Sequence, residues 1–183
     1  MVWILDTLHA NGGAPLKTWP KTPRFCAWEK RFFAQSESGK FAGWQNPAFD
    51  DRKWETVTLP ATSPLENRID GAVLYRESVE IPKEWTGKDL LLSLGTIDDC
   101  DEAWFNGVRV GATGSEICSH WEVPRRYRVP AGIVRSGRNV VAVRVIDYTG
   151  EGGFTAPADQ LCLKNGTRSL SLAGEWKQKA EFV

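Results

Sequence analysis

From Trp54 onward the chain is a succession of short runs in which apolar and polar positions alternate, separated by turn residues. In VLYRESVEIP, Val73, Tyr75, Val79 and Ile81 share one face, and Arg76, Ser78 and Glu80 share the other. That period of two is the signature of a strand with one buried side. Glu77 interrupts the apolar face and marks either an edge or a polar site. Leu90 to Leu92 begin a run apolar on both faces, as in a central strand. NVVAVRVIDY puts Val141, Val143 and Val145 on one face. Asn106-Gly107 is a two-residue hairpin signal, because both residues tolerate positive φ, and Lys164 to Thr167 supplies a second hairpin. WETVTLP (54–60) opens the series and RSLSLAG follows the last turn. No window of a dozen residues carries a 3.6-residue period. Short strands with regular turns predict an all-β sandwich or barrel.

The first fifty residues break this pattern. Lys17 to Arg24 contains Pro20 and Pro23, which exclude a strand interior. FAGWQNPAFDDRKW is polar, aromatic and interrupted by Asn46-Pro47, and it reads as loop and turn.

A length of 183 residues suffices for one domain with a real core. Lys and Arg total 23, as do Asp and Glu. A formal charge of zero argues against a protein that tracks phosphates, so no nucleic-acid partner is expected. No apolar run reaches the ~20 residues of a membrane span, and the N-terminal stretch has no recognisable leader pattern. Cys26, Cys100, Cys118 and Cys162 lack a CxxC spacing, and with only His9 and His120 beside them they define no zinc pattern. Three disulfide pairings, or free thiols, remain open. The informative excess is tryptophan, nine in all.

The stretch LGTIDDCDEAWFNG (94–107) concentrates the candidate chemistry. As an EF-hand it fails, because the twelfth position from Asp99 is Val110. A looser calcium site using Asp98, Asp99 or Asp101 with carbonyls remains compatible. Asp99 and Asp101 would lie about 6.5 Å apart on one strand face. Glycosidase carboxylates flank a bond at such separations, but from facing walls rather than side by side. The plainer reading pairs these acids with Arg125, Arg126 or Arg144 at strand ends. No G-x-S-x-G, Gly-Asp-Ser or Gly-Gln-Ser is present, so Asp6 and His9 have no nucleophile to serve. Of Trp104 and Phe105, one must point inward and the other outward. Trp121, in a polar segment, is the candidate exposed platform.

The order of segments 46–60, 73–85, 90–111 and 125–153 resembles the galactose-binding-domain-like jelly roll. That module occurs at the front of family 2 glycoside hydrolases and inside bacterial sialate O-acetylesterases. IDDCDEAWFNG, Arg125-Arg126-Tyr127 before VPAGIV, and Asp147 followed by Gly150, Gly152 and Gly153 resemble the esterase version more closely. Residues 4–21, with Gly12, Gly13 and Trp19, resemble the segment preceding the insert, and 171–179 the return to the catalytic domain. His9-Ala10-Asn11 departs from the small-aromatic pair usual before the two glycines. The resemblance implies a jelly-roll β-sandwich over 24–170, a tail over 1–23 and a return segment over 171–183. It implies a non-catalytic carbohydrate-binding or accessory module of a larger, secreted or periplasmic hydrolase, with a glycan and the parent's esterase domain as partners, no membrane partner, and no cofactor beyond a calcium ion. Candidate glycan contacts are Asp98, Asp99, Arg125 and Asp147 as hydrogen-bonding groups and Trp121 as the stacking ring, with Asp101, Trp104, Asn106 and Arg126 around them. Two alternatives are a structural module that shapes the esterase site, and the sugar-binding domain of a family 2 glycoside hydrolase.

Overall fold

The computed structural model describes residues 23, 27, 41–61, 71–117, 119–148 and 152–182. Twelve strands are present among them: β1 (Glu55–Leu59), β2 (Gly71–Ile81), β3 (Leu90–Gly95), β4 (Ile97–Asp98), β5 (Cys100–Phe105), β6 (Val108–Thr113), β7 (Arg125–Val129), β8 (Gly137–Asp147), β9 (Gly153–Phe154), β10 (Leu161–Asn165), β11 (Arg168–Ser171) and β12 (Gly174–Phe182). They form a six-stranded sheet, β1-β12-β2-β8-β5-β6, a four-stranded sheet, β11-β10-β3-β7, and the short pair β4-β9. Every pairing is antiparallel. The fold is all-β, as the alternation predicts. No helix among the described residues is long and apolar enough to cross a membrane.

The core follows from that alternation. Tyr75, Val79 and Ile81 of β2 and Val141, Val143 and Val145 of β8 meet Leu90, Leu92 and Leu94 of β3 and Leu161 and Leu163 of β10 in one buried cluster. Ala103 and Phe105 of β5 join it, so Phe105 is the inward member of its pair and Trp104 the outward one. Trp104 packs edge-on against Trp44 at 5.2 Å on the outer face of the six-stranded sheet. There the turns of 41–54 bring Trp44, Trp54, Phe41 and Phe49 onto Leu74 and Ala142. Arg76, 1% exposed, holds this cover: its Nε donates to Asp51 Oδ2 at 2.7 Å, and its Nη1 donates to the carbonyls of Trp44 and Asn46.

The structure decides between the two readings of Glu77 and carries the larger sheet past residue 170. β2 lies between β12 and β8, so Glu77 is not at an edge. It is a half-buried carboxyl on the core side, pushed up to about 7, first by burial and then by the charges of Glu175 and Asp51. The sandwich does not end at residue 170, because β12 is inserted between β1 and β2. Trp176, 1% exposed, sits in the main core and donates its indole N–H to the Leu172 carbonyl at 2.7 Å. A stretch read as a return segment is therefore part of the larger sheet, which runs to Phe182. Residues 1–22 lie outside the described residues, as do Cys26 and Cys118. Cys100 and Cys162 are buried free thiols, and burial holds the Cys100 thiol up at about 12.

Candidate functional site

β5 and β7 belong to different sheets, and both turn alternate side chains inward. Asp101 on β5 thereby faces Arg125 and Tyr127 on β7 across the interior. Arg125 Nε donates to Asp101 Oδ1 at 2.8 Å, with both side chains fully buried. Tyr127 donates its hydroxyl to Asp101 Oδ2 at 2.8 Å and accepts from Thr113, also at 2.8 Å. Burial pushes the Asp101 carboxyl up, opposed by the Arg125 charge and by hydrogen bonds from Arg125 and Tyr127 that favour the anion. Burial also raises the Tyr127 phenol, reinforced by the Asp101 charge. Both Asp101 oxygens are engaged and neither reaches solvent, so the side-by-side pair of Asp99 and Asp101 cannot act as glycosidase carboxylates.

This buried pair anchors one end of the sandwich. Arg125 Nη2 donates to the Asp99 carbonyl at 2.8 Å, and Nη1 to the carbonyls of His120 and Val123. The last two flank Trp121, in the 3-10 turn His120–Glu122. Trp121 is partly exposed and meets the buried His120 ring edge-on at 5.2 Å. Burial lowers the His120 pKa. Its Nε2 lies 3.8 Å from Asp99 Oδ1, while Asp99 Oδ2 accepts from the Tyr148 amide at 2.8 Å.

Asp98, on β4, opposes Gly153 on β9. Its half-buried carboxyl is pushed up to about 7, first by burial, then by the Asp99 charge and a hydrogen bond with Asp99, and further by Asp147, with Arg125 opposing. Asp147 is 4% exposed at the end of β8. A Cβ at residue 152 would come within 2.4 Å of its Oδ2, so glycine is required where the loop backbone closes over this carboxylate.

Of the sequence candidates, Asp98, Asp99, Asp101, Arg125, Asp147 and Trp121 therefore converge on one end. Three others do not. Trp104 lies in the aromatic cover described above. Asn106, at φ 51°, sits in the β5–β6 turn beyond the far end of β5. Its amide donates to the Ile133 carbonyl and to Asn139 Oδ1, and its oxygen accepts from the Val140 amide. Arg126 is exposed on the outside of the four-stranded sheet, because alternation along β7 turns it away from Arg125. Arg144, a candidate partner for the acidic stretch, does meet one of its acids, Glu102 at 3.5 Å, and joins Glu181 at 2.7 Å, but on the outer face and away from this end.

The sequence reading missed His120, Tyr127 and Thr113. Alternation from Arg125 would have placed Tyr127 beside Asp101, whereas nothing local marks His120 as buried. Among the described residues no three of His, Cys, Asp and Glu are grouped to hold a metal ion. A separate open groove of about 760 Å³ runs along the β10–β11 hairpin, lined by Asp159, Lys164, Ser169 and Ser171 among others. None of the candidate residues lines it.

No protein-family model and no curated protein matches the chain. Its fold is nevertheless shared with solved structures. A β-glucuronidase from Bacteroides uniformis superposes on 77% of this chain at 19% identity and a TM-score of 0.52. Bacteroides uniformis β-glucuronidase 2, solved covalently bound to cyclophellitol-6-carboxylate aziridine, superposes on 75% at 19% identity and a TM-score of 0.51. A β-glucuronidase from glycoside hydrolase family 2 matches 60% at 22% identity, with a TM-score of 0.49. The chain spans only 12 to 16% of the length of these proteins. The likeness is one of fold alone: an antiparallel β-sandwich that superposes on a part of these β-glucuronidases.

Proposed function

We propose that this chain is a non-catalytic, carbohydrate-binding β-sandwich of a larger carbohydrate-active hydrolase, and that it contacts a glycan through Asp98, Asp99 and the Trp121 turn, with Asp147, 4% exposed, buried behind them. The observation that carries this reading is the convergence of acceptor carboxylates and a partly exposed indole on one rigid end of the sandwich. Directional acceptors beside a flat apolar ring are what a pyranose needs, for its hydroxyls and its C–H face respectively. Asp101 and Arg125 serve this end from beneath, sealed from solvent and from any ligand.

For the parent enzyme, the fold likeness favours a family 2 glycoside hydrolase over the sialate O-acetylesterase that the sequence resemblance implies. Isothermal titration with glucuronides, galactosides and sialosides tests the binding claim. Heat with one class that disappears in Trp121→Ala is expected, and no heat with any of them at millimolar ligand removes the claim.

A second reading makes the module a docking element against its parent's catalytic domain. It is favoured by the partly exposed aromatic group Phe41, Phe49 and Trp104 on the outer face of the six-stranded sheet. In the full-length parent, loss of melting cooperativity in Trp104→Ala, with polymer turnover unchanged in Trp121→Ala, would select it.

A further inference from the structure

We infer that Arg125 is the positioning residue of the rim: one buried guanidinium locks the Asp98–Asp99 crossover and the Trp121 turn to each other, and so sets the spacing between carboxylate and indole. Sugar recognition by this rim is taken from the reading above. The geometry of the clamp does not depend on it.

Three irregular carbonyls converge on this side chain. Asp99 lies in the one-residue gap between β4 and β5, outside either strand. His120 and Val123 bracket the turn that carries Trp121, a turn closed by Glu122 N–H to the Ser119 carbonyl at 2.9 Å and Val123 N–H to the His120 carbonyl at 3.2 Å. Carbonyls outside a ladder that are shielded wholly or in part from water need donors beyond those of their own turn. Here Arg125 supplies them, with Nη2 on Asp99 and Nη1 on His120 and Val123. Its Nε is fixed by Asp101, itself held by Tyr127 and Thr113. The planar five-donor fork makes this possible, since a lysine ammonium is a point charge on a flexible stem. His120 completes the support by packing its ring edge-on against Trp121. With both halves of the rim tied to one cation, a ligand meets a site whose ordering cost is already met.

The clamp is tested on the full chain with two variants. Arg125→Gln/Asp101→Asn removes both charges and so leaves no lone buried ion. Arg125→Lys keeps a cation opposite Asp101 but cannot span the three carbonyls, and it keeps the test alive should the double variant fail to fold. Amide hydrogen exchange is followed in each. Exchange at Asp99 and at Glu122 and Val123 is expected to accelerate together by about tenfold or more, while amides of β2 and β8 stay within about twofold. Acceleration at only one of the two segments, or at neither, overturns the clamp. Titration with the glycan class that wild type binds is the second arm. Affinity is expected to fall by about tenfold or more in Arg125→Lys, alongside Trp121→Ala, because the rim loses its preorganisation. Unchanged affinity in Arg125→Lys overturns the positioning role. If wild type itself binds no glycan, the functional reading falls, and the exchange data still decide whether Arg125 couples the two segments.

Discussion

Glu77 offers a stability test that needs no ligand. It occupies a core-side position of a central strand, between buried Tyr75 and Val79, and its carboxyl is pushed from 4.5 to about 7. A raised folded-state pKa means that the folded protein holds the proton longer than the unfolded chain. Stability is therefore full below pH 4.5 and falls as the pH rises through about 7. The gap of about 2.5 pH units corresponds to an upper bound of ~3.4 kcal/mol. Because the carboxyl is only half-buried, solvent screening reduces this to about 1–2 kcal/mol. Glu77→Gln keeps the shape of the neutral acid and removes the titration. Urea unfolding of both proteins at pH 4.5 and pH 8 should then show near-equal midpoints at the lower pH. At pH 8 the variant should be more stable by about 1–2 kcal/mol, with equal m-values. The raised Asp98 carboxyl and the lowered His120 are common to both proteins and cancel in the difference. An identical gap at both pH values, or a less stable variant at pH 8, would refute the assignment of the shift to burial of Glu77.

Other outcomes follow from packing. A Cβ at Gly111 would sit 2.1 Å from Tyr127 Cδ1, so Gly111→Ala should lower stability by about 1–3 kcal/mol in thermal or urea unfolding, by displacing the ring that holds Asp101. Trp176→Ala should cost about 3–5 kcal/mol, and a chain truncated at residue 170 should lose cooperative unfolding by circular dichroism, because β1 would lose its partner strand. Trp121→Ala, at a partly exposed turn, should change the unfolding free energy by less than about 1 kcal/mol while abolishing glycan heat.

The fold was legible because most of the chain obeys a local rule. Alternation placed Tyr75, Val79, Val141 and Val143 in the core, and Asn106-Gly107 at a turn where both residues have positive φ, 51° and 83°. The same rule separates Arg125 from Arg126 and Phe105 from Trp104, once strand direction is known. What stayed hidden depends on pairing between distant segments. Nothing in GEWKQKAEF announces that it inserts between β1 and β2, since its partners lie about a hundred residues earlier in the chain. Nor does any local period reveal that the turns of 41–54 cover the outside of a sheet whose strands begin after them. At the candidate site the cluster of acids was visible as composition. The sealing of Asp101 and the burial of His120 were not, because both depend on side chains arriving from the opposite sheet.

Arg76 and Arg125 solve one physical problem on opposite sides of the larger sheet. The segments 41–54 and 119–124 lack a ladder to absorb their main-chain polar groups, and each lies largely at the surface around a few buried anchors, Trp44 and Trp54 in the first and His120 in the second. In each, a fully buried guanidinium reaches from a regular strand, pairs with one aspartate, and donates to carbonyls of the irregular segment: Asp51 with Trp44 and Asn46 in the first, Asp101 with His120 and Val123 in the second. The strand supplies rigidity, the carboxylate neutralises the charge, and the remaining donors fix the loop. The two clamps differ in what they hold out to solvent. Arg76 secures an aromatic cover over a sheet face, with Phe49 against its own guanidinium at 5.4 Å. Arg125 secures a rim where a tryptophan and two consecutive aspartates stay partly exposed. A sandwich needs the first kind of clamp to close its outer surface. The second kind fixes a partly exposed indole beside partly exposed acceptor groups, an arrangement that core packing alone does not require.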